Sequence, residues 1–196
     1  MQAAIDRIQA GSSTPPGMAA VVGLTPEQVE VLITEWKKGG LTDLYAANIN
    51  SPKQVVVSGS AAALAEAEKR FPEAGARRFI RLQVAGPYHS PFMKEAAEAF
   101  APVLEKIRFN NPEIPLFSNV TGKRIQSGEE AKALALRQIV EPVRWTDEEK
   151  ELAGLLPQTL LETGPGKVLQ GLWKDTGSEI PCLAAGTAED IDKLQV

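Results

Sequence analysis

The chain has 196 residues, of which 43% are hydrophobic and 23% charged, and its formal net charge is −4. This balance is typical of a folded domain, and the acidic charge disfavours a general nucleic-acid-binding surface, which needs a basic surplus. One cysteine (Cys182) and one histidine (His89) exclude an internal disulfide and any mechanism that requires two thiols or two histidines.

No apolar run in the sequence approaches the roughly 18–20 residues that span a bilayer. No basic-then-apolar leader opens it either. We therefore expect a cytoplasmic protein with no membrane partner and no nucleic-acid partner.

The first half of the chain shows a β-α-β-β-α-β pattern. Residues 1–17 are predicted to be an entry helix and linker, because a short helical pattern is broken by a cluster of Gly, Ser and Pro. Strands are predicted at 18–23, 44–49, 54–58 and 77–84. Thr25 and Ser60 are predicted N-caps of the two helices between them. The order predicts a ferredoxin-like subdomain over residues 18–85, with both helices on one face of an antiparallel sheet.

The second half alternates helices with short strands, as α/β layers do. Helices are predicted at 92–107, 129–140, 146–156 and 167–174. Strands are predicted at 114–120, 159–163 and 180–185. Pro102 predicts a kink or break in the first of these helices.

His89 is the strongest candidate for chemistry. It lies in a loop between Pro87 and Pro91, and an imidazole can take and return protons near neutral pH. The alternative is a loop histidine without a role. No Gly-x-Ser-x-Gly elbow is present to supply a nucleophile, and Cys182 in its apolar segment is predicted to be an inert thiol. The residues alone thus indicate a base without its nucleophile.

Two basic features have two readings each. Arg77, Arg78 and Arg81 lie on one predicted strand, either as a solvated edge or as a docking patch for an acidic partner. Lys167 follows the turn at 164–166, where a helix N-terminus could meet an anion. A plain tight turn into a helix is the alternative there.

Four stretches, taken together, resemble the malonyl-CoA:acyl carrier protein transacylases. Residues 48–59 (NINSPKQVVVSG) resemble the hairpin of that family's small subdomain, and residues 84–93 (VAGPYHSPFM) resemble its catalytic-histidine loop. Residues 137–145 (RQIVEPVRW) and 162–169 (ETGPGKVL) match two further family motifs in the same order. The resemblance runs through most of the chain.

The resemblance implies a fold and a set of site residues. The family fold is an α/β-hydrolase-like large subdomain with a ferredoxin-like insert, so residues 86–196 would be the C-terminal part of the large subdomain. His89 would be the general base, and the backbone carbonyl of Gln138 would orient it in place of a triad carboxylate. Tyr88 would match an aromatic position beside the histidine, and its bulk would favour malonyl over α-branched malonyl units. Asn48 and Asn50 would line the thioester pocket.

The implied activity is ping-pong transfer of malonyl from coenzyme A to the phosphopantetheine thiol of acyl carrier protein, in fatty-acid biosynthesis. No metal or cofactor is implied, because the thioester and the phosphopantetheine-bearing carrier are substrates. Acyl carrier proteins of this pathway are acidic, so docking would fall to a local basic patch, for which Arg77, Arg78, Arg81 and Lys167 are the candidates.

The sequence departs from the family in one respect. The family's oxyanion segment, its serine elbow and its carboxylate-binding arginine are not among these residues. We therefore expect a fragment, the C-terminal two-thirds of the enzyme, inactive alone and with an exposed apolar sheet edge or face. The missing segment would be a separate chain or would have been lost by truncation. The alternative is a non-catalytic acyltransferase-like module that binds acyl carrier protein.

Overall fold

A four-stranded antiparallel sheet organises the first half of the molecule. The structure, a computed structural model, describes Asp6 and residues 15–194. The sheet strands are β1 Gly17–Val22, β2 Leu44–Ser51, β3 Gln54–Gly59 and β4 Arg78–Arg81. Their spatial order is β2-β3-β1-β4, and each neighbouring pair is antiparallel. The predicted entry helix over 1–17 lies outside the described residues, except for Asp6 and residues 15–17.

Two capped helices pack on this sheet. Helix α1 (Pro26–Lys38) begins with a capping box, in which Thr25 and Gln28 each accept a hydrogen bond from the other's backbone N–H. Helix α2 (Ala61–Glu73) begins where the Ser60 hydroxyl accepts from the Ala63 N–H at 3.2 Å. Both N-caps are as predicted.

The helices and one face of the sheet enclose the largest apolar core. Its fully buried members include Val21, Leu44, Val57, Leu64 and Phe71. Burial of each large side chain stabilises the fold by about 1.5–3 kcal/mol. The predicted β-α-β-β-α-β order is present.

The second half contains shorter elements. Its helices are α3 Lys94–Glu105, α4 Gly128–Arg137, α5 Trp145–Gly154, α6 Val168–Asp175 and α7 Ala188–Asp192. A single 3-10 turn, Pro91–Met93, precedes α3. Strands β5 Phe117–Ser118 and β6 Lys123–Arg124 form an antiparallel hairpin, and β7 Leu160–Thr163 pairs in parallel with β8 Cys182–Ala185.

Two predictions for this half differ in part from the structure. The predicted strand over 114–120 is reduced to Phe117–Ser118, because Pro115 has no N–H to give to a ladder. Pro102 lies inside α3, and the helix continues through it to Glu105, so the predicted break is absent and the kink stays a prediction. Strand β6 and helix α7 were not predicted.

The segment after α4 ties the two halves together. Val143 donates its N–H to the Ala47 carbonyl, and Ile49 donates to the Val143 carbonyl, both at 2.8 Å. This bridge runs parallel to β2 at the free edge of the sheet. It fixes the end of α4 against β2.

The second half exposes much apolar surface. It holds eleven of the fourteen large apolar side chains that are exposed among the described residues, including Leu156, Val168 and Leu161. Parallel strands are usually covered on both faces, yet Leu161 on β7 and Leu183 on β8 are both exposed. The expected apolar surface is therefore present. Within the described part of the chain, no helix is long and apolar enough to cross a bilayer.

Candidate active site

The loop that carries His89 is held by two buried serines. Ser58 on β3 donates its hydroxyl to the Tyr88 carbonyl at 2.6 Å, and Ser90 donates to the Pro87 carbonyl at 2.5 Å. His89, between these two bonds, has a φ of 54°. A residue with a side chain adopts this left-handed conformation at a cost on the order of 1 kcal/mol. The serine hydrogen bonds stabilise the loop in this form.

The imidazole of His89 is oriented by the backbone of Gln138. Its Nδ1 lies 2.9 Å from the Gln138 carbonyl oxygen, which can only accept a hydrogen bond. The side-chain amide nitrogen of Gln138, which can only donate, lies farther from the same ring nitrogen, at 3.2 Å, and also faces the Glu141 carbonyl at 3.5 Å. We assign the proton to Nδ1 because the carbonyl contact is the shorter one, which leaves the lone pair of the neutral ring on Nε2.

The end of α4 determines where this carbonyl lies. Gln138 is the C-cap of α4, and its N–H donates to the Leu134 carbonyl. One residue earlier, Arg137 makes two hydrogen bonds to Glu141, at 2.7 and 2.8 Å. These bonds lower the pKa of the Glu141 carboxyl, and they close the turn that leads to the Val143 bridge on β2. The end of α4, the Arg137–Glu141 ion pair and the contact with β2 together fix the position of the Gln138 carbonyl oxygen.

A cleft of about 380 Å³ opens beside His89, between α1 and the start of β2. Its apolar lining comes from Ile33, Ala46, Pro91, Val140 and Pro142. Its polar lining includes Glu30, Lys37 and Tyr45. Burial raises the pKa of the Tyr45 phenol, and the nearby Asp43 carboxylate raises it further. The cleft is therefore an open, mostly apolar depression with the oriented imidazole in its lining.

The structure brings His89 and Gln138 together, but it leaves the other predicted pocket residues outside the cleft lining. The Tyr88 ring packs against two core clusters, one around Met93 and one around Met18. Asn48 pairs through its backbone with Val143, and Asn50 donates its side-chain amide to Gln54 at 3.1 Å. None of the three lines this cleft.

The arginine cluster lies far across the sheet from the cleft. Arg78 and Arg81 are on β4 and Arg77 precedes it, whereas the cleft adjoins β2 at the opposite edge. Arg81 pairs with Glu68 at 3.2 Å, and all three arginines are exposed.

The N-terminus of helix α6, which follows Lys167, is occupied by a carboxylate of the same chain. The buried Glu162 carboxylate accepts hydrogen bonds from the N–H groups of Leu169 and Gln170, at 3.0 and 2.7 Å. Lys167 itself lies 4.0 Å from Asp190. The chain fills this helix N-terminus with its own carboxylate, which favours the plain tight turn over the anion site among the two alternatives.

Sequence reasoning missed several residues of this region. Ser58 and Ser90 lie within two of the motif stretches, but the motifs did not indicate that their hydroxyls hold the His89 loop, and Tyr45 lies outside every motif. Cys182 is half-buried, and burial raises the pKa of its thiol, with further contributions from Glu162 and Glu149. This agrees with an unreactive thiol.

Comparison with known proteins places the chain in a family. The family described as the Acyl transferase domain matches residues 4–196. The chain belongs to this acyl transferase family.

Within this family, the relatives that the chain resembles are malonyl transacylases. Malonyl CoA-acyl carrier protein transacylase of Haemophilus influenzae is 35% identical over 178 residues, which cover 91% of this chain and 56% of the relative. The Bacillus subtilis transacylase is 36% identical, with 89% and 55% covered. The resemblance to malonyl-CoA:acyl carrier protein transacylases is thereby confirmed. The chain spans about half the length of these curated relatives.

Solved structures agree with the sequence relatives. An acyl carrier protein S-malonyltransferase from Vibrio cholerae matches with a TM-score of 0.87 and 31% identity, covering 97% of this chain and 62% of that one. A malonyl-transacylase in complex with its type II PKS acyl-carrier protein matches with a TM-score of 0.85 and 34% identity, over the same shares.

Proposed function

We propose that this chain supplies the general-base half of a malonyl-CoA:acyl carrier protein transacylase site. The observation that carries the proposal is the 2.9 Å contact between His89 Nδ1 and the Gln138 carbonyl. It leaves Nε2 free to accept a proton, as the triad carboxylate does for the histidine of serine hydrolases, but without adding a buried charge. A module that only binds carrier protein would have no use for an oriented imidazole.

The proposed reaction has two matching half-reactions. A serine hydroxyl from outside this sequence attacks the thioester carbon of malonyl-CoA while His89 Nε2 takes its proton. The imidazolium then gives that proton to the departing coenzyme A thiolate as the C–S bond breaks, which leaves a malonyl ester on the serine. The phosphopantetheine thiol of acyl carrier protein then attacks the ester, His89 takes the thiol proton, and it returns the proton to the serine.

The serines closest to His89 are unsuited to the nucleophilic role. The hydroxyls of Ser58 and Ser90 are buried and are committed to the carbonyls of Tyr88 and Pro87. We therefore expect the nucleophile of the proposed reaction to lie outside this sequence, and we expect the chain alone not to transfer malonyl.

The same proposal covers the organisation of the fold. Residues 18–85 would be the ferredoxin-like subdomain, which the strand order β2-β3-β1-β4 supports. Residues 86–196 would be part of an α/β-hydrolase-like subdomain, supported by the parallel β7–β8 pair. The cell compartment would be the cytoplasm.

The remaining site residues have weaker support. Exposure of Arg77, Arg78, Arg81 and Lys167 is compatible with docking of an acidic carrier. Tyr88 is adjacent to His89, and its substrate role would act through the shape of the loop. Asn48 and Asn50 lie on β2, the strand that also supplies Tyr45 to the cleft wall.

The test is a chimera that joins this chain to the part of the Bacillus subtilis relative outside the matched region. Intact mass spectrometry with malonyl-CoA should show one malonyl group on the chimera and none on the 196-residue chain. His89→Ala in the chimera should slow transfer to acyl carrier protein on the order of a thousandfold, because a general base is lost.

Gln138→Ala is the matched control, since it keeps the backbone carbonyl and should keep most of the activity. A malonyl adduct on the 196-residue chain would contradict the proposal. So would a His89→Ala chimera that transfers malonyl at the parent rate.

A further inference from the structure

A lysine and a tyrosine form one wall of the His89 cleft. The ammonium of Lys37, in the last turn of α1, lies 4.3 Å from the centroid of the Tyr45 ring. The Tyr45 ring in turn meets Phe92 edge-on, at 6.0 Å and 87°. An ammonium over an aromatic face is attracted by the ring quadrupole, so Lys37 is held at the cleft.

Lys37 forms no ion pair with a carboxylate of the described residues. Lys94, Lys150 and Lys167 each have an acidic partner within 4.0 Å, but no ion pair among the described residues includes Lys37. Glu30 also lines the cleft, but it lies two helical turns earlier on α1, which is about 10 Å along the axis. The Asp43 carboxylate acts on Tyr45 but does not line the cleft, so within the lining Lys37 is the positive end and Glu30 the negative end.

We propose that Lys37 binds the phosphate of a phosphopantetheine arm that enters this cleft, while the Tyr45 ring packs along the arm. The inference rests on the proposed function and adds a binding residue to it. Coenzyme A and the carrier present a phosphate on the same kind of arm, so one lysine serves both half-reactions. A half-buried ammonium suits this role because a compact charge binds phosphate without a fixed geometry.

The experiment titrates the 15N-labelled 196-residue chain with coenzyme A and, separately, with pantetheine, which has no phosphate. His89 is the one histidine of the sequence, so its imidazole signals report binding in the cleft without assignment. At low ionic strength, Lys37→Gln should weaken coenzyme A binding about three- to fivefold and leave pantetheine binding unchanged. Lys37→Arg should restore most of the affinity.

Two further variants sharpen the result. Lys38→Gln removes a neighbouring exposed charge that does not line the cleft, and it should leave both titrations near the parent values. Glu30→Gln removes the negative end of the cleft and should tighten coenzyme A binding about twofold.

The inference is overturned if Lys37→Gln binds coenzyme A like the parent or like Lys38→Gln. Equal weakening of pantetheine would also overturn it, because Lys37 would then act through packing. Failure of the parent chain to bind coenzyme A would remove the site altogether. Each outcome is separate from the proposed function, which fails only if the chimera transfers malonyl without His89 or if the chain alone is malonylated.

Discussion

The backbone conformation of His89 depends on residues that take no part in the proposed reaction. Its positive φ is maintained by buried hydrogen bonds on both sides, from Ser58 to Tyr88 and from Ser90 to Pro87. If the first bond is lost, the Tyr88 carbonyl loses the β3 hydroxyl that holds it. The orientation of the imidazole thus depends on a hydroxyl in the middle of the sheet.

Ser58→Ala is expected to destabilise the chain by about 1–3 kcal/mol, because a buried carbonyl is left without its donor. Urea unfolding followed by circular dichroism measures the change. Thr42→Ala, which removes an exposed hydroxyl bonded to the neighbouring Asp43, should shift the free energy of unfolding by less than about 0.5 kcal/mol. Equal effects of the two substitutions would show that the Ser58 bond does not support the loop.

The sequence predicted the two residues that meet at the site, but not the residues that hold them in place. The motifs around His89 and Gln138 indicated the imidazole and the backbone carbonyl that contact each other. The fixing serines, the Tyr45–Lys37 wall and the Glu162 cap on α6 could not be predicted, because each contact joins residues whose spacing has no characteristic pattern.

At the scale of elements, helix α5 carries an unusual pair of buried carboxyls. Glu148 and Glu149 are 6% and 2% exposed. Trp145 donates its indole N–H to Glu149 Oε1 at 2.8 Å, but Glu148 Oε1 and Glu149 Oε2 have no hydrogen-bond partner among the described residues. Burial raises the pKa of each to about 7, and for Glu149 the charges of Asp175 and Glu148 add to it.

These carboxyls make stability fall as pH rises. The folded chain keeps their protons between pH 4.5 and about 7, where the unfolded chain has released them. Their contribution is complete below pH 4.5 and is lost as pH rises through about 7. A pKa difference of this size corresponds to about 3 kcal/mol for each group.

Glu149→Gln should therefore be more stable than the parent at pH 8 and gain less, or nothing, at pH 5. Urea unfolding at the two pH values gives the difference. Glu151→Gln on the exposed face of the same helix is the control and should follow the parent curve. A Glu149→Gln variant with the parent's pH dependence would mean that Glu149 ionises freely in the folded chain.

The elements of the first half were predictable because their signals are local. Caps at Thr25 and Ser60 and apolar residues at helical spacing fix α1 and α2 within a few residues. In the second half, β5 was overestimated because a run of apolar residues around Pro115 looks extended whether or not a partner strand exists. The pairing of β7 with β8 joins residues about twenty positions apart, and periodicity does not report such contacts.

At the scale of the molecule, the two halves differ in how well they are buried. The first half has a core with two helices and a sheet, whereas the second half has only small clusters, around Met93 and around Val120. Several of its exposed apolar side chains lie on β7, on β8 and at the start of helix α6, among them Leu161, Leu183 and Val168.

The sheet also separates the cleft from the arginine cluster. The cleft adjoins β2 and the arginines lie at β4, three strand spacings away, which is about 14 Å. A carrier docked on Arg77, Arg78 and Arg81 would therefore have to reach the cleft with an extended arm, whereas Lys37 lies on the cleft wall itself.

The imidazole 15N shifts of the labelled chain report the tautomer of His89, on which its assignment as an oriented base depends. We expect a proton on Nδ1 and a pyridine-like Nε2 in the neutral ring, and we expect the same result for Gln138→Ala, which keeps the carbonyl. A proton on Nε2, or the mixture of tautomers shown by a free imidazole, would contradict the assignment of His89 as an oriented base.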